Sequence, residues 1–397
     1  MNTINRTYLS VLTCDRLAKI VNAVKEVEIL QLVLPETRFD LLQHDDSLVQ
    51  ASIRGLLKLR QVYLFEQRPR GYHDGDSLVS ALCEGCFNLE TVYLKVAKIS
   101  DRALGRFGAL RGLKRLGLEC YNNREISVRG VECLCNGKGR VEVLKMIGFS
   151  GISRDIAEAI ALGFATRTSL KTLELSVVKD NAIDGICRIL ESCIQLSSLN
   201  ISTESDHHMM ELIISTFKRF MTVWPYRRLN LRKLSCANRD IGESFRYFEC
   251  LPFLEHLQYR TFAFSSRLTV DKIACLQQYL PNLRHLDVEG QGIFRVPMLK
   301  ALSKCLKLEI LETEADLCEQ EAQILVELFG SRLVMLQVGS VPVQCVEMFV
   351  NGFTKLTGLW ISKATYVGFN YKERLIEMSS ATVAPIKTLL KKEWWDL

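Results

Sequence analysis

The cysteines are the residues whose spacing in this sequence comes closest to a chemical site. Cys83 and Cys86 form a CxxC pair, and Cys133 and Cys135 form a CxC pair. A structural zinc ion is held by four ligands, and neither pair is joined by a second pair or by two histidines at zinc-finger spacing. We therefore expect no metal site and no cofactor.

Sequence motifs of the common enzyme families are missing. The chain has no glycine-rich phosphate loop, no GxSxG nucleophile turn, no GxGxxG fingerprint and no constellation of paired carboxylates. Those motifs hold a nucleophile, a base or backbone N–H groups at the reacting atoms. The sequence therefore favours a protein that is not an enzyme.

A repeated pattern of leucine-like residues organises most of the chain. Each unit reads apolar, two residues, apolar, one residue, apolar, as in Leu89, Val92 and Leu94. Thirteen units begin at Val27, Leu59, Leu89, Leu113, Val141, Leu170, Leu196, Leu231, Leu254, Leu283, Leu308, Leu333 and Leu356. Their mean spacing of about 27 residues gives each unit room for a strand and a helix.

Each unit has the periodicity of a strand followed by that of a helix. Alternating apolar positions predict a strand with one buried side, and segments such as 180–193 place apolar residues at helical spacing. One unit cannot bury both faces, but stacked units can. We expect an α/β leucine-rich repeat solenoid of about 13 repeats, a horseshoe with parallel strands on its concave face and helices on its convex face.

Three cysteines occupy one fixed place in this repeat. Cys86, Cys193 and Cys305 each stand three residues before the first leucine of a unit. Free cysteine behaves as a small hydrophobe, so these thiols are expected to lie in the core. Reduced thiols are typical of the cytoplasm or the nucleus, where we expect the protein.

The charged residues argue against a nucleic-acid or membrane partner. The formal net charge is +6 over 397 residues, and basic residues are interleaved with acidic ones. Nucleic-acid-binding proteins concentrate basic residues on one face, and a membrane span needs about 18 consecutive apolar residues, which the chain lacks. We expect a soluble protein that acts as a monomer within a protein complex.

One repeat carries a family resemblance. The motif Ile-Ser-Asp-Arg-Ala-Leu at 99–104, with the Cys-x-x-Leu-x-x-Leu junctions that begin at the three repeat cysteines, resembles the cysteine-containing repeat of F-box leucine-rich-repeat proteins. Residues 180–201 are similar to a ribonuclease-inhibitor-type repeat. The resemblance implies a substrate-recognition or adaptor subunit, with ubiquitin-ligase components as possible partners.

The segments around the array are expected to close its ends. Residues 1–26 are shorter than an F-box, no F-box is found there, and 15–24 read as one helix of an N-terminal cap. The array covers 27–361, and 362–397 form a C-terminal cap or tail. The Trp394–Trp395 pair in that tail would cover the last repeat, and a short linear motif for a partner is the alternative.

Two insertions interrupt the period of the repeat. A charged, turn-rich segment lies at 66–77, and a longer helix ending in a Trp-Pro turn lies between Leu196 and Leu231. Long loops on a rigid scaffold are common binding elements. They are also the places where repeats tolerate drift in sequence, so both interpretations stand.

Charged residues alternate in sign at the second position of the unit. The series is Glu28, Arg60, Glu90, Lys114, Glu142, Lys171, Ser197, Arg232, Glu255, Arg284 and Glu309. Neighbouring parallel strands place equivalent positions about 4.8 Å apart. Opposite charges at that spacing stabilise the register of the strands, so we expect a structural ladder of charges.

The position between the second and third apolar residues faces outward in mid-strand and is the expected partner surface. We expect the partner to contact Tyr63, Tyr93, Glu174, Asp287, Glu312 and Trp360 at this position, together with Phe65 two residues after Tyr63. Exposed aromatic residues are favoured interface anchors, although tyrosines also fill strand positions for packing alone. Near Trp360, we expect the apolar Ile310, Val334 and Met335 to be covered by a partner or by the C-terminal tail.

His256 and His285 hold equivalent positions in adjacent repeats, so their rings are expected to stack. Two histidines can bind a metal or sense pH. Their own column offers no carboxylate or thiol ligand. We therefore expect a polar surface pair.

Three functions remain open at the level of sequence. The first is a recognition module, an adaptor of the F-box leucine-rich-repeat type that binds a protein on its concave face. The second is a structural or inhibitory subunit of a stable complex. The third and most distant is a Ran-type GTPase activator, a class that shares the repeat, although no acidic tail and no catalytic arginine stand out.

Overall fold

The structure is a computed structural model that describes most of the predicted array. The described residues are 26–34, 51–66, 75–123, 126–202, 209–237, 244–260, 270–289 and 295–361, apart from positions 52, 97, 150, 166, 168 and 177. The C-terminal cap, nearly all of the N-terminal cap and most of the insertion at 66–77 lie outside the described residues. The chain divides into two compact units, an N-terminal unit, Met1–Phe220, and a C-terminal unit, Met221–Leu397.

Thirteen strands occur among the described residues, and each begins two positions after the first apolar residue of a predicted repeat. The N-terminal unit holds β1 (Ile29–Leu34), β2 (Gln61–Glu66), β3 (Thr91–Val96), β4 (Arg115–Asn123), β5 (Val143–Phe149), β6 (Thr172–Leu175) and β7 (Ser198–Ile201). The C-terminal unit holds β8 (Lys233–Ala237), β9 (His256–Arg260), β10 (His285–Glu289), β11 (Ile310–Thr313), β12 (Met335–Val338) and β13 (Gly358–Ile361). Within each unit the strands follow chain order and pair in parallel, which confirms the predicted α/β solenoid.

Helices alternate with the strands. The described α-helices are α1 (Gly75–Gly85), α2 (Asp101–Ala109), α3 (Val128–Cys135), α4 (Arg154–Ala165), α5 (Ile183–Ser192), α6 (Met209–Val223), α7 (Val270–Tyr279), α8 (Val296–Leu302), α9 (Glu319–Phe329) and α10 (Val343–Gly352). Short 3-10 helices lie at Asp180–Ala182 and Ser244–Cys250. The longer helix predicted after Leu196 is α6, and none of the described helices has the length and apolarity needed to cross a membrane.

The core lies between the strands and the helices. Most of the described apolar residues of the repeat are buried, as shown by Leu113, Leu116 and Leu118, whereas Leu356, Leu359 and Ile361 of the last repeat are half-buried. The helices contribute large side chains to the same layer, among them Phe107 and Phe164. Because consecutive helices pack on one another and consecutive strands pair, each repeat buries the face that its neighbour leaves open.

Backbone hydrogen bonds fix the register at the start of the strands. The carbonyl oxygen of Glu28 accepts from the N–H groups of Arg60 and Gln61, at 2.8 and 3.0 Å. The carbonyl of Arg60 accepts in the same way from Glu90 and Thr91. The second position of the repeat is therefore stacked from strand to strand, as the charge ladder requires.

The predicted charge ladder forms ion pairs at that position. Glu90 pairs with both Arg60 and Lys114, the latter at 2.9 Å. The ladder continues with Lys171–Glu142 at 2.7 Å, Arg232–Glu255 at 2.9 Å and Arg284–Glu309 at 3.6 Å. Exposed ion pairs add little to stability, so the ladder selects the register more than it stabilises the fold.

Two aspartates link the start of one helix to the start of the next. The Asp76 carboxylate accepts from the backbone N–H of Ser100 at 2.7 Å and from its hydroxyl. Asp101 accepts in the same way from Ser127, with the backbone bond again 2.7 Å long. We call each pair an Asp–Ser staple, and the second is made by the motif at 99–104. At Gly130 a Cβ would lie 2.1 Å from the Asp101 carboxylate, so only glycine allows this approach.

Candidate functional site

The open face of each unit is the side of the strands opposite the helices. One line of side chains, which we call the central column, follows the middle of the strands across this face. In the N-terminal unit it consists of Gln31, Tyr63, Tyr93, Gly117, Lys145, Glu174 and Asn200. In the C-terminal unit it consists of Ser235, Gln258, Asp287, Glu312, Gln337 and Trp360. All predicted partner-binding residues except Phe65 lie in it.

The predicted aromatic patch is assembled on β2 and β3. The rings of Phe65 and Tyr93 lie 5.4 Å apart with an angle of 36° between their planes. Tyr63 is the strand neighbour of Tyr93 and is half-buried. Tyr93 itself is only 5% exposed, and its hydroxyl donates to Glu119 at 2.8 Å. Tyr63 and Phe65 therefore offer more surface to a partner than Tyr93 does.

Glu174 is engaged within the N-terminal unit. One carboxylate oxygen lies 3.1 Å from the Lys145 ammonium, and the other accepts from the Asn200 amide at 2.9 Å. Lys145 is buried, so Glu174 supplies the opposite charge that makes this position tolerable. The predicted binding residue thus has a structural task on the open face.

Asp287 ends a chain of polar side chains in the C-terminal unit. The Ser235 hydroxyl donates to the Gln258 amide oxygen at 2.8 Å, and the Gln258 amide nitrogen donates to Asp287 at 2.7 Å. These bonds cross β8, β9 and β10 along the central column. They hold the Asp287 carboxylate in a fixed position on the open face.

The predicted histidine stack lies beside this chain. The rings of His256 and His285 are 3.8 Å apart and 26° from parallel. The Glu312 carboxylate, which lies in the central column on the next strand, approaches within 2.8 Å of the His285 Nε2 atom. That nitrogen makes no hydrogen bond, so its N–H is not directed at the oxygen and the contact becomes an ion pair only when His285 is protonated. Among the residues that the structure describes, no cluster of histidine, cysteine and acidic side chains is placed to hold a metal ion.

Trp360 completes the central column at the last described strand. It is 53% exposed and pairs in register with Gln337 on β12. Ile310 and Met335, two residues before the central column on their strands, are half-buried on the same face. A large, accessible aromatic ring therefore stands at the end of the central column, next to Gln337.

The three repeat thiols are buried, as predicted. Burial raises the pKa of Cys86 to about 11, of Cys193 to about 12 and of Cys305 to about 11. In the CxxC pair, burial also raises the pKa of Cys83 to about 12, against a smaller opposing effect of Arg106. Since the thiolate is the nucleophile and the metal ligand, these thiols stay in their unreactive form at neutral pH.

Two cavities at the edge where the strands begin were not predicted from the sequence. Both lie in the N-terminal unit, with volumes of about 1050 and about 570 Å³. Their lining residues come from turns far apart in the chain. Each turn before β4, β5 and β6 contains a basic residue in the sequence. That these residues form one group becomes apparent only when the repeats are stacked.

Comparison with known proteins adds no assignment. A scan of the chain against models of known protein families found no match, and a search of curated proteins found no matching relative. The functional inference therefore depends on the geometry of the described residues.

Proposed function

We propose that this protein is a protein-binding scaffold that holds its partner on the open face of the strands. The observation that carries the proposal is the in-register strip of Asp287, Glu312, Gln337 and Trp360 in the central column of the C-terminal unit. Interfaces combine a large aromatic anchor with surrounding polar groups. This strip has that composition.

The charge of the strip defines the partner's surface. Asp287 and Glu312 are adjacent carboxylates on neighbouring strands. The fixed position of Asp287 lowers the entropy that is lost on binding. A partner with a basic segment next to an apolar pocket for Trp360 is complementary to this strip.

For the biological role, we propose a leucine-rich-repeat adaptor of the F-box type, which presents a protein to ubiquitin-ligase components. The support is the motif at 99–104, whose serine belongs to the first Asp–Ser staple and whose aspartate belongs to the second. The motif supports a shared scaffold. The role as an adaptor is the part that experiment has to test.

Affinity purification with mass spectrometry tests the open-face proposal. We expect Trp360→Ala to lower recovery of the partner about tenfold or more, as removal of an interface anchor does. Tyr226→Ala is the matched control, because Tyr226 is 94% exposed and lies outside the central column. Equal recovery with Trp360→Ala and wild type would place the partner elsewhere.

The same purification separates the two biological roles. Recovery of a cullin adaptor together with the captured protein supports the F-box-like role. A single stoichiometric partner that stays bound at high salt indicates instead a structural or inhibitory subunit. Salt screens the attraction between exposed charges more than it weakens a buried apolar contact.

A further inference from the structure

A groove with a strong excess of positive charge lies at the edge of the N-terminal unit, away from the central column. Three successive helix-to-strand turns line a cavity of about 1050 Å³. Its cationic side chains are Arg111 before β4, Lys138 and Arg140 before β5, and Arg167 and Lys171 before β6. We call this cavity the basic groove.

The positive charges of the basic groove are poorly compensated within the protein. The one carboxylate that lines it, Glu142, is paired with Lys171 at 2.7 Å. Arg111, Lys138 and Arg140 are exposed and form no ion pair with any residue that the structure describes. By contrast, Arg60 and Lys114 at the same edge share Glu90. An anion that enters the groove therefore meets three exposed cations that are not paired with Glu142, the one carboxylate in the lining.

The turns that carry these cations are tightly packed. A Cβ at Gly137 would lie 2.1 Å from the Gly108 oxygen, and a Cβ at Gly139 would lie 2.9 Å from the Leu110 oxygen. The Lys138 N–H donates to the Gly108 oxygen at 2.6 Å. The backbones that present the cations are thus held in place before any ligand binds, which reduces the cost of ordering them.

We infer that the basic groove binds a phosphorylated peptide segment of a protein partner. This inference rests on the proposed function to the extent that the chain binds proteins. Guanidinium groups bind phosphate through paired hydrogen bonds, and a phosphorylated side chain brings nearly two negative charges at neutral pH. With Lys171 paired to Glu142, the four remaining cations match that charge better than they match a lone carboxylate.

The surroundings favour a peptide over a nucleic acid. No aromatic side chain lines the basic groove, so bases would have no ring on which to stack. The smaller cavity shares Arg111 with the groove and is lined by Phe87, which is 68% exposed. Lys58, Arg60 and Lys114 line it together with Glu28 and Glu90. A peptide can place an apolar side chain on Phe87 while it continues from the basic groove.

Fluorescence titration of the purified chain tests the assignment. The probe is a fluorescein-labelled peptide in which a phosphoserine pair follows a leucine, compared with its serine version and with single-stranded DNA of equal net charge. We expect the wild type to prefer the phosphopeptide and the Arg111→Ala/Lys138→Ala/Arg140→Ala variant to lose about tenfold or more in affinity. The matched control, Lys300→Ala/Lys304→Ala/Lys355→Ala, removes equal charge from exposed sites of the C-terminal unit. We expect it to bind the phosphopeptide with the affinity of the wild type.

Each other outcome overturns the inference. The inference is wrong if the phosphopeptide binds no better than the serine peptide, or if the control variant loses as much affinity as the groove variant. It is also wrong if DNA binds as tightly as the phosphopeptide and the groove variant loses that binding, which would make this a nucleic-acid site. An Arg111→Lys/Arg140→Lys variant keeps the charge and guards against misfolding, and we expect it to bind with intermediate affinity. We expect Trp360→Ala to bind the phosphopeptide as the wild type does. Failure of the open-face proposal and failure of the basic-groove inference are therefore separate results.

Discussion

Position within the repeat decides the chemistry of a single cysteine in this protein. The described cysteines are free thiols. Cys86, Cys193 and Cys305, each of which stands three residues before the first leucine of a repeat, lie in the core. Cys133 and Cys318 are exposed at other positions. The same side chain is therefore an inert core residue or an accessible thiol according to its place in the unit.

Iodoacetamide labelling tests that difference. At pH 8 in the folded protein, Cys133 and Cys318 should be alkylated while Cys86, Cys193 and Cys305 are protected, because burial both blocks access and keeps these thiols protonated. Peptide mapping by mass spectrometry measures the labelling, and the unfolded chain in urea is the control in which all react. Rapid labelling of Cys86 in the folded protein would contradict the buried position.

The same thiols make the folded protein less stable as the pH becomes alkaline. Their pKa values are raised in the folded state, so their contribution is complete below the unfolded value of about 8.5. It is lost progressively as the pH rises from there toward the folded values of about 11 to about 12. The sign follows because only the unfolded chain gains from ionising these thiols in that range.

The limits of sequence reasoning are clearest for individual side chains. The spacing of apolar residues places Tyr93, Glu174 and Trp360 in one kind of position, and the structure agrees. Yet Tyr93 is nearly buried, Glu174 neutralises Lys145, and Trp360 is exposed. Those differences depend on which side chains stand on the two neighbouring strands, and the one-dimensional pattern does not contain that information.

At the scale of elements, the Asp–Ser staples join the start of one helix to the start of the next by hydrogen bonds. The Asp101 carboxylate lies in the first turn of α2 and receives both hydrogen bonds from Ser127, which directly precedes α3. It thereby occupies donors at the start of the neighbouring helix. The motif at 99–104 is thus explained by contact between repeats rather than by its own helix alone.

Replacement of Asp101 by asparagine tests the staple. We expect Asp101→Asn to lower the free energy of unfolding by about 1 to 3 kcal/mol, because charge-assisted hydrogen bonds become neutral or are lost. Asp155→Asn is the control, since Asp155 occupies the first turn of α4 and is exposed. Equal urea midpoints for both variants would mean that only the helix dipole matters.

The strands were predictable from the sequence, whereas the basic groove was not. Leucine spacing marks all thirteen strands because each strand must bury the same side against its helices. The groove collects Arg111, Lys138 and Arg167 from three turns that vary in length and sequence. Its assembly depends on the stacking of turns, so the nearly balanced charge of the chain concealed it.

At the scale of the whole molecule, stability should be distributed locally. Described contacts between elements join neighbouring repeats, so a cavity in one repeat weakens its neighbours most. We expect Leu94→Ala to raise amide hydrogen exchange chiefly in β2, β3 and β4, with a cost of about 2 to 5 kcal/mol. Leu336→Ala, equally buried in β12, should do the same for β11 to β13. A uniform rise along the chain in either variant would contradict this local response.

The parallel pairing of strands in chain order also has a consequence for synthesis. Every strand pair with a described register joins repeats that are adjacent in sequence, as Gln61 with Thr91 or His256 with His285. A repeat that leaves the ribosome can therefore dock on the one made just before it, without waiting for a distant segment, and low sequence separation favours fast folding. The growing end exposes one unpaired strand edge at a time, and that edge is where a chaperone would be needed.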